Sequence, residues 1–345
     1  MTTITIAIDA MGGDHGIQIP VPAAVEAVRQ HKNLQLILVG DQDAIQKQLQ
    51  KLTISEEMRQ RLPIVHATQI VSMDESPTQA LRYKKDSSMR VAINLVKESK
   101  AQACVSAGNT GALMATAHFV LKTLSGIDRP AIIGTLPSEN ELGRVRMLDL
   151  GANVDSSAEH LFQFAIMGSM LTTAIDGVPK PKVALLNIGV EEIKGNDQVK
   201  QTAQLLSHCP DINYIGYQEG DSIFKSEADV IVCDGFVGNV ALKSIEGLTK
   251  FVRRNIKKAF YQNILTKLAA IGAIVVLKPF LKRMNPELFN GASLLGLKGI
   301  VLKSHGNTSV VGFEKAIEKA MLEVEHNIPQ LIEDKIKKLF ESRTT

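Results

Sequence analysis

Five short segments combine glycine with Asp, Asn or Ser, the mixture a chain uses to wrap its backbone around an oxyanion. They are Asp9-Ala10-Met11-Gly12-Gly13-Asp14-His15-Gly16, Ser106-Ala107-Gly108-Asn109-Thr110-Gly111, Asp149-Leu150-Gly151-Ala152-Asn153-Val154-Asp155, Asn187-Ile188-Gly189 and Asp234-Gly235-Phe236-Val237-Gly238-Asn239. Glycine lets main-chain N–H groups approach an anion, and a short amide or carboxylate orders the groups around it. Asp9, Gly12, Gly13, Asp14, His15, Gly108, Asn109, Thr110, Asn153 and Asn187 are therefore candidate ligands for phosphate or substrate. Each cluster alone is also what an ordinary βα turn needs. Their recurrence is the stronger signal.

Other chemistries find no footing. Gly12 to Gly16 does not fit G-x-G-x-x-G, and Gly291 to Lys298 misses the P-loop because Lys298 does not directly follow Gly296. There is no G-x-S-x-G elbow, and no His or Cys grouping has zinc-like spacing. Neither a cofactor nor a metal is expected. His15 beside Asp14 is a weak acid–base signal without a third partner, and Asp9 could cap backbone or exchange protons with phosphate. Ser156-Ser157-Ala158-Glu159 reads as a capping box that places Asn153 at a helix N-terminus. Ser304 to Ser309 echoes Ser106 to Gly111, as a second anion-facing turn or a plain helix start.

These residues need elements to hold them. Apolar runs at Ile4 to Asp9, Leu34 to Val39, Ile64 to His66, Ala103 to Ser106, Arg146 to Leu150, Val183 to Ile188, Ile212 to Ile215 and Val230 to Cys233 read as strands covered on both faces. Amphipathic stretches at Val21 to Arg29, Met89 to Lys97, Gly111 to Leu124 and Ser157 to Ala174 read as helices between them. The alternation predicts an α/β fold, a mostly parallel sheet flanked by helices, with ligands beyond the carboxyl ends of the strands. No linker composition divides the chain, so residues 1–345 read as one unit with a helical excursion at about 247–290.

Composition narrows the class. The chain has 345 residues, 45% of them hydrophobic, enough for a sizeable core. A net charge of +3, only 4% aromatics and no Trp argue against a nucleic-acid partner. Cys104, Cys209 and Cys233 are far apart and suit free thiols in a reducing cytoplasm. The N-terminal residues Met1 to Asp9 resemble a strand rather than a signal peptide. The longest uncharged apolar run, Leu268 to Leu277, is too short to span a bilayer.

The excursion itself is basic. Lys250 to Arg283 holds nine Lys or Arg and no acid, so the remainder of the chain carries −6. Val252, Ile256, Phe260, Ile264 and Leu268 form a stripe at four-residue spacing beside Arg253, Arg254, Lys257 and Lys258. Such an arm suits anionic lipid, an acidic partner or a second copy of the chain.

The motifs Ala7 to Gly16, Val105 to Ala112, Leu186-Asn187-Ile188-Gly189-Val190-Glu191-Glu192-Ile193-Lys194-Gly195, Asp234 to Val240 and Gly291 to Leu297 closely resemble those of the phosphate acyltransferase (PlsX) family of bacterial glycerolipid synthesis. The resemblance implies transfer of a long-chain fatty acyl group from acyl carrier protein to inorganic phosphate, giving an acyl phosphate for phospholipid synthesis. It also implies no organic cofactor, a homodimer, and a sheet like that of isocitrate and isopropylmalate dehydrogenases and phosphotransacetylase. Lys194 and Asn239 carry over as the catalytic pair. A cytoplasmic protein attached peripherally to the inner face of the membrane, near a downstream membrane acyltransferase, is the expected setting. Backbone amides of Gly12, Gly13, Gly108 and Asn109 would then bind phosphate, while Asn187 and Asn239 orient the carbonyl. Three other readings stay open: a short-chain enzyme using coenzyme A, a non-catalytic membrane-surface scaffold and, weakest, a nicotinamide dehydrogenase.

Overall fold

The computed structural model describes residues 3–283 and 286–344. Met1 and Thr2 of the expected first strand, Met284 and Asn285 of the expected arm, and Thr345 lie outside the described residues.

Eleven strands form one sheet: β1 (Ile4–Asp9), β2 (Leu34–Gly40), β3 (Ile64–His66), β4 (Ala103–Ser106), β5 (Ala131–Pro137), β6 (Arg144–Leu148), β7 (Lys182–Asn187), β8 (Asn213–Glu219), β9 (Val230–Val232), β10 (Ala292–Leu295) and β11 (Ile300–Lys303). Their spatial order is β3-β2-β1-β4-β11-β10-β5-β6-β9-β7-β8. Every expected strand is present within a few residues of its expected ends. β5, β10 and β11 escaped the sequence reading because β10 and β11 are four-residue runs among Gly291, Gly296 and Gly299, which read as turns. Pairing with neighbours distant in sequence makes them strands.

Those three strands change the geometry. β3, β2, β1, β4 and β11 pair in parallel, as do β6, β9, β7 and β8. The connections β11 to β10, β10 to β5 and β5 to β6 are antiparallel. Three reversals turn the second group against the first. The carboxyl ends of β1, β4 and β11 therefore point to one edge of the sheet, and those of β6, β7 and β9 to the other. This corrects the expectation that all five glycine clusters share one edge.

Apolar residues cover both faces, as the unbroken strand sequences require. One cluster packs the helices Ser88–Lys97 and Thr110–Leu121 on the face that also meets Ala241, Leu242 and Ile245. The helix Pro20–Gln30 and the helix Val310–Glu325 pack opposite the first strands, and Ala158–Asp176 opposite the last.

The arm starts earlier than expected. The helix Gly235–Phe260 begins directly after β9, where the Asp234 side chain accepts the Val237 amide at 3.0 Å. Tyr261 to Asn263 interrupt it before a second helix, Ile264–Arg283. The expected stripe is thus split between two helices, with Val252, Ile264 and Leu268 exposed. Among the described residues no helix is long and apolar enough to cross a membrane. The capping box also shifts by one residue: Ser157 caps Ala158–Asp176 and pairs with His160, not Ser156 with Glu159.

Candidate active site

At the carboxyl ends of β1, β4 and β11, three polar residues stand in register: Asp9 opposite Ser106, and Ser106 opposite Lys303. All are buried. In-register residues of parallel strands share a face, so the row forms a polar floor. Ser106 Oγ donates to Asp9 Oδ2 at 2.6 Å and accepts the Gly108 amide at 3.0 Å. Lys303 Nζ donates to the carbonyls of Ala107, at 3.1 Å, and Ser304. Burial pushes the Asp9 carboxyl up, against hydrogen bonds from Ser106, Ser88 and the Met11 and Gly12 amides. Burial likewise pulls the Lys303 ammonium down to about 8, while Asp9 and Asp14 pull it back.

The glycine turns lie directly on this floor. A Cβ at Gly12 would sit 2.5 Å from Asp9 Oδ2 and 2.8 Å from the Gly108 nitrogen, so only glycine fits. Asp14 N donates to the Gly306 carbonyl at 3.0 Å, and His15 Nε2 lies 2.9 Å from Asn307 Oδ1. The Ser304–Ser309 segment therefore joins the Asp9 turn. Asn109 caps the helix Thr110–Leu121, accepting from Ala112 N at 2.9 Å and donating to the Met73 and Glu75 carbonyls. The Gly108 amide is therefore engaged by Ser106, and the Asn109 side chain, though not the main-chain amide expected to bind phosphate, by its cap. The Thr110 and Gly111 amides, in the first turn, have no intrahelical acceptor.

The second set lies beyond β6, β7 and β9. Asp149 is fully buried and gathers the amides of Ile132, Gly151, Ala152 and Asn153, together with Asn153 Nδ2. Asn153 also donates to the Pro130 carbonyl at 2.8 Å, which turns it inward, away from the N-terminus of Ala158–Asp176. Asn187 Nδ2 closes the next loop on the carbonyls of Gly189 and Lys194, at 3.1 and 3.3 Å. Lys194 and Asn239 are both exposed, Asn239 packing over Gly151.

The helix Gly235–Phe260 connects the two sets. Its first turn rests on Asp149, where a Cβ at Gly238 would lie 1.9 Å from the Asp149 carbonyl oxygen. Asn239, Lys243 and Glu246 then climb the helix at 1.5 Å per residue, about 10 Å in all. Lys243 bridges Glu246 at 3.0 Å, and Glu246 faces His305 at 3.8 Å. His305, facing it, and Lys243 hold the Glu246 carboxyl down at about 2. One helix thus reaches from the Asp149 loop, where Asn239 packs over Gly151, to the Ser304–Ser309 turn, where Glu246 faces His305.

The family model described as "Fatty acid synthesis protein" matches residues 4–331. A phosphate acyltransferase of Legionella pneumophila is 60% identical over 336 residues, covering 97% of each chain. The chain belongs to the phosphate acyltransferase (PlsX) family. A phosphate acyltransferase of Coxiella burnetii is 55% identical over 336 residues, 96% of each chain. Among solved structures, a phosphotransacetylase from Streptococcus pyogenes superposes with a TM-score of 0.61 at 18% identity, covering 96% of this chain and 94% of that one. The fold is phosphotransacetylase-like. As a family member the chain is an acyltransferase, which sets aside the non-catalytic scaffold.

Within this acyltransferase, Ser106, Lys303, Lys243, Glu246 and Asp149 escaped the sequence reading as site residues. A lysine ending the apolar run Ile300 to Leu302 was the available signal for Lys303. The arm residues Arg253, Arg254, Lys257 and Lys258 are exposed, Ile256 and Phe260 half-buried, and Ile264 exposed; none meets either loop set in a hydrogen bond or ion pair among the described residues.

Proposed function

We propose that this enzyme transfers a long-chain fatty acyl group from acyl carrier protein to inorganic phosphate, releasing an acyl phosphate. The supporting observation is the helix Gly235–Phe260, which runs from Asn239 over the Asp149 loop to Glu246 opposite His305 in the Ser304–Ser309 turn. A thioester is already activated, so bringing phosphate to its carbonyl carbon and stabilising the oxyanion supply the main catalytic terms. The Thr110 and Gly111 amides and the Gly12-Gly13 turn bind phosphate. Lys194 places a positive charge near the developing oxyanion, and Asn239 orients the carbonyl. A phosphate oxygen forms the new C–O bond, the C–S bond breaks, and the thiolate leaves with its electron pair. All three cysteines are buried, and burial pushes the Cys104 and Cys233 thiols far up, which favours direct displacement over a cysteinyl intermediate.

The uninterrupted sheet supports reading the chain as a single catalytic domain. The basic arm fits peripheral attachment to anionic membrane on the cytoplasmic side, docking of acidic acyl carrier protein and pairing of two copies, close to the membrane enzyme that consumes the product. The test is acyl phosphate formation, trapped with hydroxylamine, from long-chain acyl carrier protein with and without phosphate and beside a coenzyme A thioester. Phosphate-dependent product from the carrier-protein donor is expected. Product from coenzyme A alone would move the assignment to the short-chain reaction.

A further inference from the structure

Residues four and seven positions apart lie on one side of a helix, so Lys243 and Glu246 share the side of Asn239 on Gly235–Phe260. Glu246 fixes where that side looks. Its carboxylate faces His305 at 3.8 Å, in the turn that accepts the Asp14 amide at Gly306 and meets His15 at Asn307. The His305 ring is set for this contact: Nδ1 accepts the Asn307 amide at 3.2 Å, which leaves Nε2 to carry its hydrogen toward Glu246.

Lys243 stands one turn before Glu246. Burial, and with it the charge of Lys243, pulls the Lys303 ammonium down to about 8, so the two cations feel each other. Lys303 Nζ in turn sits 3.1 Å from the Ala107 carbonyl, and a Cβ at Gly13 would lie 3.0 Å from both the Ala107 Cβ and the Gly306 carbonyl oxygen. Lys243 is therefore within electrostatic reach of the Gly12-Gly13 turn. The two lysines differ in what they can do there. Lys303 is buried and donates to two carbonyls, whereas the Lys243 side chain is 59% exposed and one Glu246 oxygen accepts from its ammonium, which has three hydrogens.

We propose that Lys243 binds the attacking phosphate at the Gly12-Gly13 turn, with Glu246 as the positioning residue that holds its ammonium toward that turn. Two neighbouring ammonium groups repel, so an anion beside Lys243 is favoured by both. The turn also carries Asp14, and phosphate settling there needs a cation that can reach it. The inference rests on phosphate being the acyl acceptor proposed above.

Steady-state kinetics with phosphate and acyl donor varied separately test it. Lys243→Met should raise the KM for phosphate about ten- to a hundredfold, the cost of a lost hydrogen bond to a charged group, and Lys243→Arg should recover part of the loss. Glu246→Gln should shift the same KM downward, because the ammonium no longer has a carboxylate competing for it. If Lys243 served only its ion pair with Glu246, Lys243→Met and Glu246→Gln would raise the KM alike, and that result overturns the proposal. So does a Lys243→Met enzyme whose phosphate KM is unchanged. Melting temperatures in rising inorganic phosphate give a readout without turnover: the wild type should respond at lower phosphate than Lys243→Met, and coincident curves overturn the proposal. Absence of acyl phosphate from the wild type would instead sink the acyl-transfer reading, with the melting curves still deciding whether Lys243 binds phosphate.

Discussion

At the scale of single residues, Lys194 and Asp149 show two ways in which a loop residue can matter. Asp149 organises backbone: its carboxylate collects the amides that shape its own loop. Lys194 is tied into its loop through its main chain, its amide donating to the Glu191 carbonyl at 3.0 Å and its carbonyl accepting from Asn187. Its side chain is exposed and free to meet a substrate. Lys194→Ala should therefore leave stability nearly unchanged while lowering turnover by about 10²- to 10³-fold, the cost of losing one oxyanion-stabilising group. Steady-state kinetics beside a melting curve check this, and normal turnover would return Lys194 to a surface charge. Residue type announced Asp9 and Gly12 as candidates, and the family resemblance announced Asn239. It gave no hint that Ser106 would consume the Gly108 amide, because that bond depends on a two-residue turn and on the carboxylate across the strand pair.

At the scale of elements, the helix Gly235–Phe260 has two jobs along its length. Its start needs Gly235 and Gly238 because the Asp149 loop occupies the space a side chain would take. Its distal half carries Arg253, Arg254, Lys257 and Lys258 into solvent. Each cation near an anionic surface contributes about 1 kcal/mol, and apolar insertion adds to that. Ile256→Glu together with Phe260→Glu should sharply reduce co-sedimentation with vesicles containing anionic lipid. Acyl phosphate formation in solution should persist, because both residues lie about four to six turns along the helix from the Asp149 loop. Unchanged co-sedimentation of a folded variant would remove the lipid role. The basic stripe was legible as spacing and charge. The start of the helix was not, because Gly-Phe-Val-Gly-Asn looks like a loop until Asp234 caps it.

At the scale of the whole molecule, the central strands β10 and β11 and the helix behind them hold a second buried charge group, away from the candidate site. Lys319 Nζ donates to the carbonyls of Phe289 and Gly291 at 3.0 Å, just ahead of β10, and Glu323 accepts from Ser293 at 2.8 Å. Burial pulls the Lys319 ammonium down to about 7 and pushes the Glu323 carboxyl up, with Arg146 nearby. Lys319→Met takes the donor from the Phe289 and Gly291 carbonyls and a nearby positive charge from Glu323, so it should cost about 1–3 kcal/mol, and adding Glu323→Gln should recover part of it. Urea denaturation of the single and double variants measures this. Equal losses in both would show that the pair is not coupled.

The sequence by itself determined the α/β class, eight of the strands, the candidate loops and the basic arm, because local periodicity and glycine–polar spacing depend on near neighbours. Tertiary structure alone decided where those loops meet. Three antiparallel pairings in mid-sheet send the two groups of strand ends to opposite edges, and a helix begun on two glycines rejoins them. Lys303, Ser106 and Asp9 form a row only because β11, late in the chain, pairs beside β4. Pairings between residues about 200 positions apart leave no periodic trace in either segment, so that part of the site had to be read from the fold.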